Sequence, residues 1–157
     1  PEFYQVADEQ GIMVWQDFPL QWGYTDDPAF HREALRQVED MVLRFKNHPA
    51  IVAWCGHNES PHAMTWMEKR NEQQNLALDE ALAERMKALD PSRVVHRDSG
   101  SGGNGHPYPG WYYGTAADFM VRTTNPVPWE RFISEYGAQA LPNVETLKAM
   151  FQPVALW

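Results

Sequence analysis

The sequence predicts an α/β protein built on a parallel sheet with helical crossovers. Three observations lead there. Short apolar runs alternate with long amphipathic stretches along most of the chain. The runs lack polar alternation, as in Ile51–Cys55 (IVAWC), which suits strands buried on both faces. They close on polar residues, and two of them close on a glutamate, Glu59 and Glu135.

Taken in order, residues 1–10 read as a short helix. Pro1 suits a first turn, Phe3, Val6 and Ala7 share a face, and Gly11 ends it. Residues 12–18 (IMVWQDF) read as a strand closing on Gln16 and Asp17. Residues 19–27 form a loop carrying Trp22 and Tyr24, and Asp26-Asp27-Pro28 is a helix-start signal. Residues 30–46 give the clearest helix, with Ala34, Leu35, Val38, Met41, Val42 and Phe45 at three- and four-residue steps. Asn47-His48-Pro49 stops it just before the Ile51 strand.

Residues 64–89 read as a second long helix. Leu78, Leu82, Met86 and Leu89 make its apolar stripe, and Glu68, Glu72, Glu80 and Glu84 face water. Residues 93–98 (RVVHRD) are a third strand, and residues 99–110 a glycine-rich loop. Residues 111–115 (WYYGT) and 132–136 (FISEY) are read as strands four and five. A last helix begins at Val144.

The chain has 157 residues, 43% of them hydrophobic, enough for one domain with a core. Its net charge of −8 repels phosphate backbones and argues against a nucleic-acid partner. No run has the length and apolarity of a membrane span. Cys55 is the one cysteine, so no internal disulfide forms; it reads as a buried thiol and does not fix the compartment. The chain opens on Pro1-Glu2 directly into a helical pattern, which reads as the cut edge of a longer protein.

Two glutamates after two parallel strands are a chemical signal. Glycoside hydrolysis uses one carboxyl to protonate the leaving oxygen and a second to attack the anomeric carbon or activate water. Burial and mutual repulsion are expected to lift the pKa of one above the other. A covalent, retaining route needs the carboxyl groups ~5–5.5 Å apart. The aromatic residues fit a sugar, whose C–H face stacks on such rings. Trp15 and Trp54 are expected to pack inward. Trp22, Trp111 and Tyr112 are the candidates for reaching a ligand.

Other motifs carry less. The Gly-rich run at 100–105 lacks the Lys-Ser/Thr of a phosphate cradle and reads as a flexible loop. Histidines 57, 62, 96 and 106 match no zinc spacing, so no metal and no cofactor is assigned. Ser60 and Ser99 lack the elbow of a nucleophilic serine. The competing readings are a sugar-binding or structural module without catalysis and, more weakly, a metal-dependent hydrolase using those histidines.

GIMVWQDF (11–18), NHPAIVAWCGHNE (47–59) and FISEYGAQALP (132–142) together resemble glycoside hydrolase family 2, in the family's order. The VWQDF stretch is most similar to its β-mannosidase branch, ahead of the β-glucuronidase and β-galactosidase branches. The resemblance implies a partial (β/α)₈ TIM barrel, roughly strands three to seven, over residues 1–157. It implies Glu59 as acid/base after strand four and Glu135 as nucleophile after strand seven. Asn58 would bind the sugar's 2-hydroxyl, and Asp17 another hydroxyl. His57 departs from the small or amide residue of the branch and is expected to alter the pocket. The implied partners are a carbohydrate substrate, the remaining barrel strands and the preceding β-sandwich domains; the isolated chain is expected to be inactive.

Overall fold

The computed structural model describes residues 2–63, 71–100, 104–108, 110, 112–115, 117–118, 120, 132–137 and 142–150. They divide between two compact units, residues 1–106 with 126–135, and residues 107–125 with 136–157.

The first unit carries the sheet. Its elements are α1 (Glu2–Gln10), β1 (Val14–Asp17), α2 (Pro28–Phe45), β2 (Ile51–Cys55), α3 (Leu76–Leu89), β3 (Val94–His96), β4 (Asn104–Gly105) and β5 (Phe132–Ile133). All described strands pair in parallel, as β1-β2-β3 and as β4-β5. This is the predicted partial α/β barrel; the described strands do not close into a complete one. Trp15 on β1 stacks on His96 of β3 (4.5 Å between centroids) and on Phe132 of β5 (5.3 Å), so rings from three strands meet on one side of the sheet.

The helices pack on this sheet to form the core. Val38 and Val42 of α2 and Leu78, Leu82 and Met86 of α3 are buried with Ile51 and Trp54 of β2. These are the stripes the three- and four-residue spacing predicts. Asp27 caps α2 by accepting from the Ala29 amide (2.7 Å), with Pro28 in the first turn. Asp8 ties α1 to the start of β2 through the Ala50 amide (2.8 Å) and His48 (2.6 Å). At Gly56 the chain passes close to itself. A Cβ there would lie 2.7 Å from the Arg97 carbonyl oxygen, so only glycine lets the end of β2 run beside the end of β3.

Several expectations change. The helix read over residues 64–89 begins at Leu76; residues 64–70 lie outside the described set. Asn75 sits in the left-handed region (φ 62°). Its side chain accepts from the Tyr24 amide (2.8 Å) and donates to Asp26 (2.9 Å). That stapling of the 24–26 loop stops the helix from extending backward. Trp54 is fully buried as expected, but Trp15 is only half-buried, because its indole N–H is held by Asp17 (2.7 Å) on the ring-bearing side. Phe3 and Val6 of α1 are exposed, leaving Ala7 as its buried residue. Part of the glycine-rich loop is strand β4.

Behind the core, Asp90 accepts from the Trp54 indole (2.9 Å) and pairs with Arg93. Arg93 also donates to the carbonyls of Lys46 (2.7 Å) and His48 (2.9 Å), satisfying acceptors after α2. Burial works against the Asp90 carboxylate, but the bonds from Ser92, Trp54 and Arg93 outweigh it and hold the pKa at about 2. A folded-state pKa below the unfolded value stabilises the fold at neutral pH, and that contribution is lost as pH falls toward 2. Urea unfolding should therefore show Asp90→Asn less stable by about 2 kcal/mol at pH 7, with the gap shrinking between pH 5 and 2.

In the second unit, α4 (Val144–Met150) is capped by Asn143, which accepts from the Thr146 amide (2.8 Å). Residues 112–115, read as part of a strand, form a turn instead. Gly110 donates to the Tyr113 carbonyl, Gly114 takes φ 64°, and Asp118 accepts from Thr115 (2.7 Å).

Candidate active site

The segments following β1, β2 and β3 continue the sheet as single bridges. Asn58 bridges Gln21 on one side and Ser99 on the other. Its amide donates to Leu20 O (2.8 Å), its carbonyl accepts from the Trp22 amide (3.1 Å), and the Glu59 amide donates to Ser99 O (3.1 Å). Loop 56–59 is thus clamped at the carboxyl ends of the strands, where parallel α/β sheets place their ligands.

Two residues there adopt a backbone that side chains rarely take, Trp22 (φ 64°) and Glu59 (φ 48°). They are bonded to each other: the Trp22 indole donates to Glu59 Oε2 (3.0 Å). The other carboxylate oxygen, Oε1, lies 3.0 Å from His106 Nδ1. His106 follows β4, and its Nε2 lies 2.9 Å from Ser134 Oγ and 3.8 Å from Glu135 Oε1, both just after β5. An oxygen of Glu59, a nitrogen of His106 and an oxygen of Glu135 all lie within 4.8 Å of one another.

The two glutamates, 76 positions apart by their numbers, therefore converge, with the imidazole beside both. Glu59 is the more enclosed, with 13% of its side chain exposed against 42% for Glu135. One of the two carboxyls is expected to be lifted by burial; at Glu59 the pKa is lowered instead. The His106 hydrogen bond lowers it, burial opposes this, and the Trp22 bond and the His106 charge lower it further, so it lies below the ordinary carboxylate range.

Asn58 stands beside Glu59, and its Oδ1 accepts from the Ser99 hydroxyl (2.7 Å), which fixes the amide plane. Asp17 ends β1 opposite Cys55, anchored by Trp15. Trp22 is exposed at the rim. Tyr112 is exposed in the second unit, and Trp111 lies outside the described residues. His57 differs from the expectation: it is fully buried, with Nδ1 2.7 Å from Asp79 of α3. Successive residues of an extended chain point to opposite sides, so His57 is turned into the packing under the loop. It contacts Asp79 there and does not line the pocket.

Around His57 lies a polar cluster. His62 Nε2 is 2.9 Å from Asp98 and 3.1 Å from Ser60 Oγ. This is no nucleophile relay, because Ser60 is buried and shares one imidazole nitrogen with Asp98. Burial pushes the Cys55 thiol well above its ordinary pKa, so it stays an unreactive thiol. Among the described residues, Glu59, His106 and Glu135 are the one group spaced closely enough to share a cation. His106 already directs Nδ1 to Glu59 and Nε2 to Ser134, so this is a hydrogen-bonded site first.

His106 is not among the site residues the sequence predicts. Its signal was faint: a single imidazole directly after a strand of only two residues.

Parallel strands with their polar groups gathered at one rim define a barrel-type α/β protein whose site sits at the strands' carboxyl ends. Residues 1–148 match the family model of glycosyl hydrolases family 2, TIM barrel domain, and the chain belongs to that family. It is 31% identical over 169 residues to a β-mannosidase of Capra hircus, covering 94% of this chain and 19% of that protein. It is equally 31% identical, over 172 residues, to β-mannosidase B of Thermothelomyces thermophilus, covering 94% and 20%. The β-D-mannosidase structure from Dictyoglomus thermophilum superposes with a TM-score of 0.77 at 31% identity, over 98% of this chain and 20% of that one. A Bacteroides uniformis β-glucuronidase, at 22% identity, TM-score 0.67 and coverage of 88% and 19%, shares the fold. The chain thus spans about a fifth of the length of these relatives.

Proposed function

We propose that the chain is the site-bearing part of a retaining exo-β-glycosidase, β-mannosidase-like, that cleaves a terminal β-linked sugar. The observation that carries this is the approach of Glu59 and Glu135 to within 4.8 Å at the carboxyl ends of parallel strands. That spacing suits a nucleophile and an acid/base on opposite sides of one glycosidic bond and leaves too little room for the water of an inverting enzyme. Glu135, the more open carboxylate, attacks the anomeric carbon. Glu59 gives its proton to the leaving oxygen and then takes one from the incoming water. Asn58 holds the sugar's 2-hydroxyl, whose contact strengthens as charge develops on the ring. Asp17 binds another hydroxyl, and Trp22 offers a ring at the rim.

The isolated chain is expected to be inactive, its barrel completed by strands elsewhere in a longer protein. Val52 on β2 and Val94 on β3 support this, being 42% and 59% exposed although both lie on sheet strands. The test is a panel of aryl β-glycosides. The full-length protein should favour the β-mannoside, and residues 1–157 alone should show no turnover above background. Binding without hydrolysis by the full-length protein would replace the enzymatic reading with a sugar-binding one.

A further inference from the structure

The proposed reaction needs Glu59 to arrive with a proton, yet its neighbours favour the ion. We propose that His106 is a positioning residue that stores this proton between the two carboxylates and passes it to Glu59 through the Nδ1–Oε1 contact; this rests on the glycosidase reading above. The geometry specifies the path. An indole nitrogen only donates, so Oε2 of Glu59 must accept from Trp22. A proton arriving on Glu59 therefore goes to Oε1, which faces His106 Nδ1 at 3.0 Å.

The opposite nitrogen, Nε2, faces Ser134 Oγ at 2.9 Å and Glu135 Oε1 at 3.8 Å. Doubly protonated, the imidazole lies between two carboxylates. After Nδ1 gives up its proton, Nε2–H still faces Ser134 and Glu135. The three groups carry the same net charge in both arrangements, so the transfer draws no proton from solvent. Gly100 keeps the contact open: a Cβ there would lie 3.3 Å from Nδ1 and 3.6 Å from Glu59 Cγ, at φ +89°.

The step balances. The Nδ1–H bond breaks, the Oε1–H bond forms, and the imidazolium becomes neutral. Glu59 then protonates the glycosidic oxygen as the C–O bond breaks and its electron pair stays on that oxygen, while Glu135 bonds the anomeric carbon. In the second half, water attacks that carbon, the bond to Glu135 breaks, and the water's proton passes to Glu59 and back to Nδ1.

Two amide variants of the full-length protein separate the roles. His106→Asn keeps a donor near Nδ1, and His106→Gln keeps one near Nε2; neither titrates. Among the described residues, the charged groups bearing on the readout are Glu59 on the Nδ1 side and Glu135 on the Nε2 side. The measurement is the pH profile of kcat/KM on an alkyl β-mannoside and on a dinitrophenyl β-mannoside, whose leaving group needs little protonation. Both variants should lose roughly 10–100-fold on the alkyl substrate and less than about 3-fold on the dinitrophenyl one. The alkaline limb of His106→Asn should move to lower pH, since Glu59 must then hold its own proton. Wild-type substrate ratios and limb in His106→Asn would overturn the relay, as would equal losses on both substrates in either variant. Should His106→Asn fail to fold, His106→Gln supplies the same test through its substrate ratio. Glu135→Ala is run alongside: if it keeps turnover, the glycosidase reading fails, whereas its inactivity beside a wild-type-like His106→Asn removes only the relay.

Discussion

Glu135→Ala in the full-length protein should lower kcat on an aryl β-mannoside by on the order of 10⁴-fold or more, with KM little changed. On the proposed mechanism the variant removes the atom that forms a bond to the sugar, and the described residues adjoining it offer no replacement. His106 and Ser134 adjoin the position, but one is committed to Glu59 and the other is a hydroxyl 2.9 Å from that same imidazole. The space left by the side chain should admit a small anion. Azide should therefore restore turnover of a dinitrophenyl substrate and release a glycosyl azide of inverted configuration. Turnover by Glu135→Ala within about tenfold of wild type, with no azide product, would remove Glu135 from the chemistry.

Glu59→Gln should split by leaving group. On an alkyl β-mannoside the loss should be about 10²–10⁴-fold, the range set by removing a positioned acid. On a dinitrophenyl substrate the first half-reaction should proceed nearly unchanged. Without its base the second half slows, so a covalent intermediate should accumulate and appear as a burst of released phenol. The alkaline limb of the pH profile should vanish, because the proton it reports can no longer be passed to the leaving group. A uniform loss across leaving groups would mean that Glu59 serves placement, held by Trp22 and His106, and transfers no proton.

The main features of this site could be read from residue order because they follow from periodicity. Ile51–Cys55 is a run without alternation, so it is a strand covered on both sides, and whatever follows it stands at the sheet's rim. The stripe at Leu78, Leu82 and Met86 fixes which face of α3 packs. What could not be read depends on contacts between distant segments. Asn75 looks helical until its bonds to Tyr24 and Asp26 are seen. His57 is adjacent to Asn58 in sequence and so seemed to share its pocket, yet Asp79 holds it under the loop. His106 is 47 residues from Glu59, in a loop whose glycines signal only freedom. Burial on its own would lift the Glu59 carboxyl. Its two donors, unpredictable from local sequence, reverse that sign.

The separation of the two carboxylates bears most directly on stereochemistry, since a pair this close leaves room for a covalent intermediate and not for a water between nucleophile and sugar. Proton NMR of the first sugar released by the full-length protein from an aryl β-mannoside, recorded before the anomers equilibrate, reads that outcome. The β anomer should appear first, with the α anomer growing only by mutarotation. Initial release of the α anomer would contradict the double displacement and the roles given to Glu59 and Glu135.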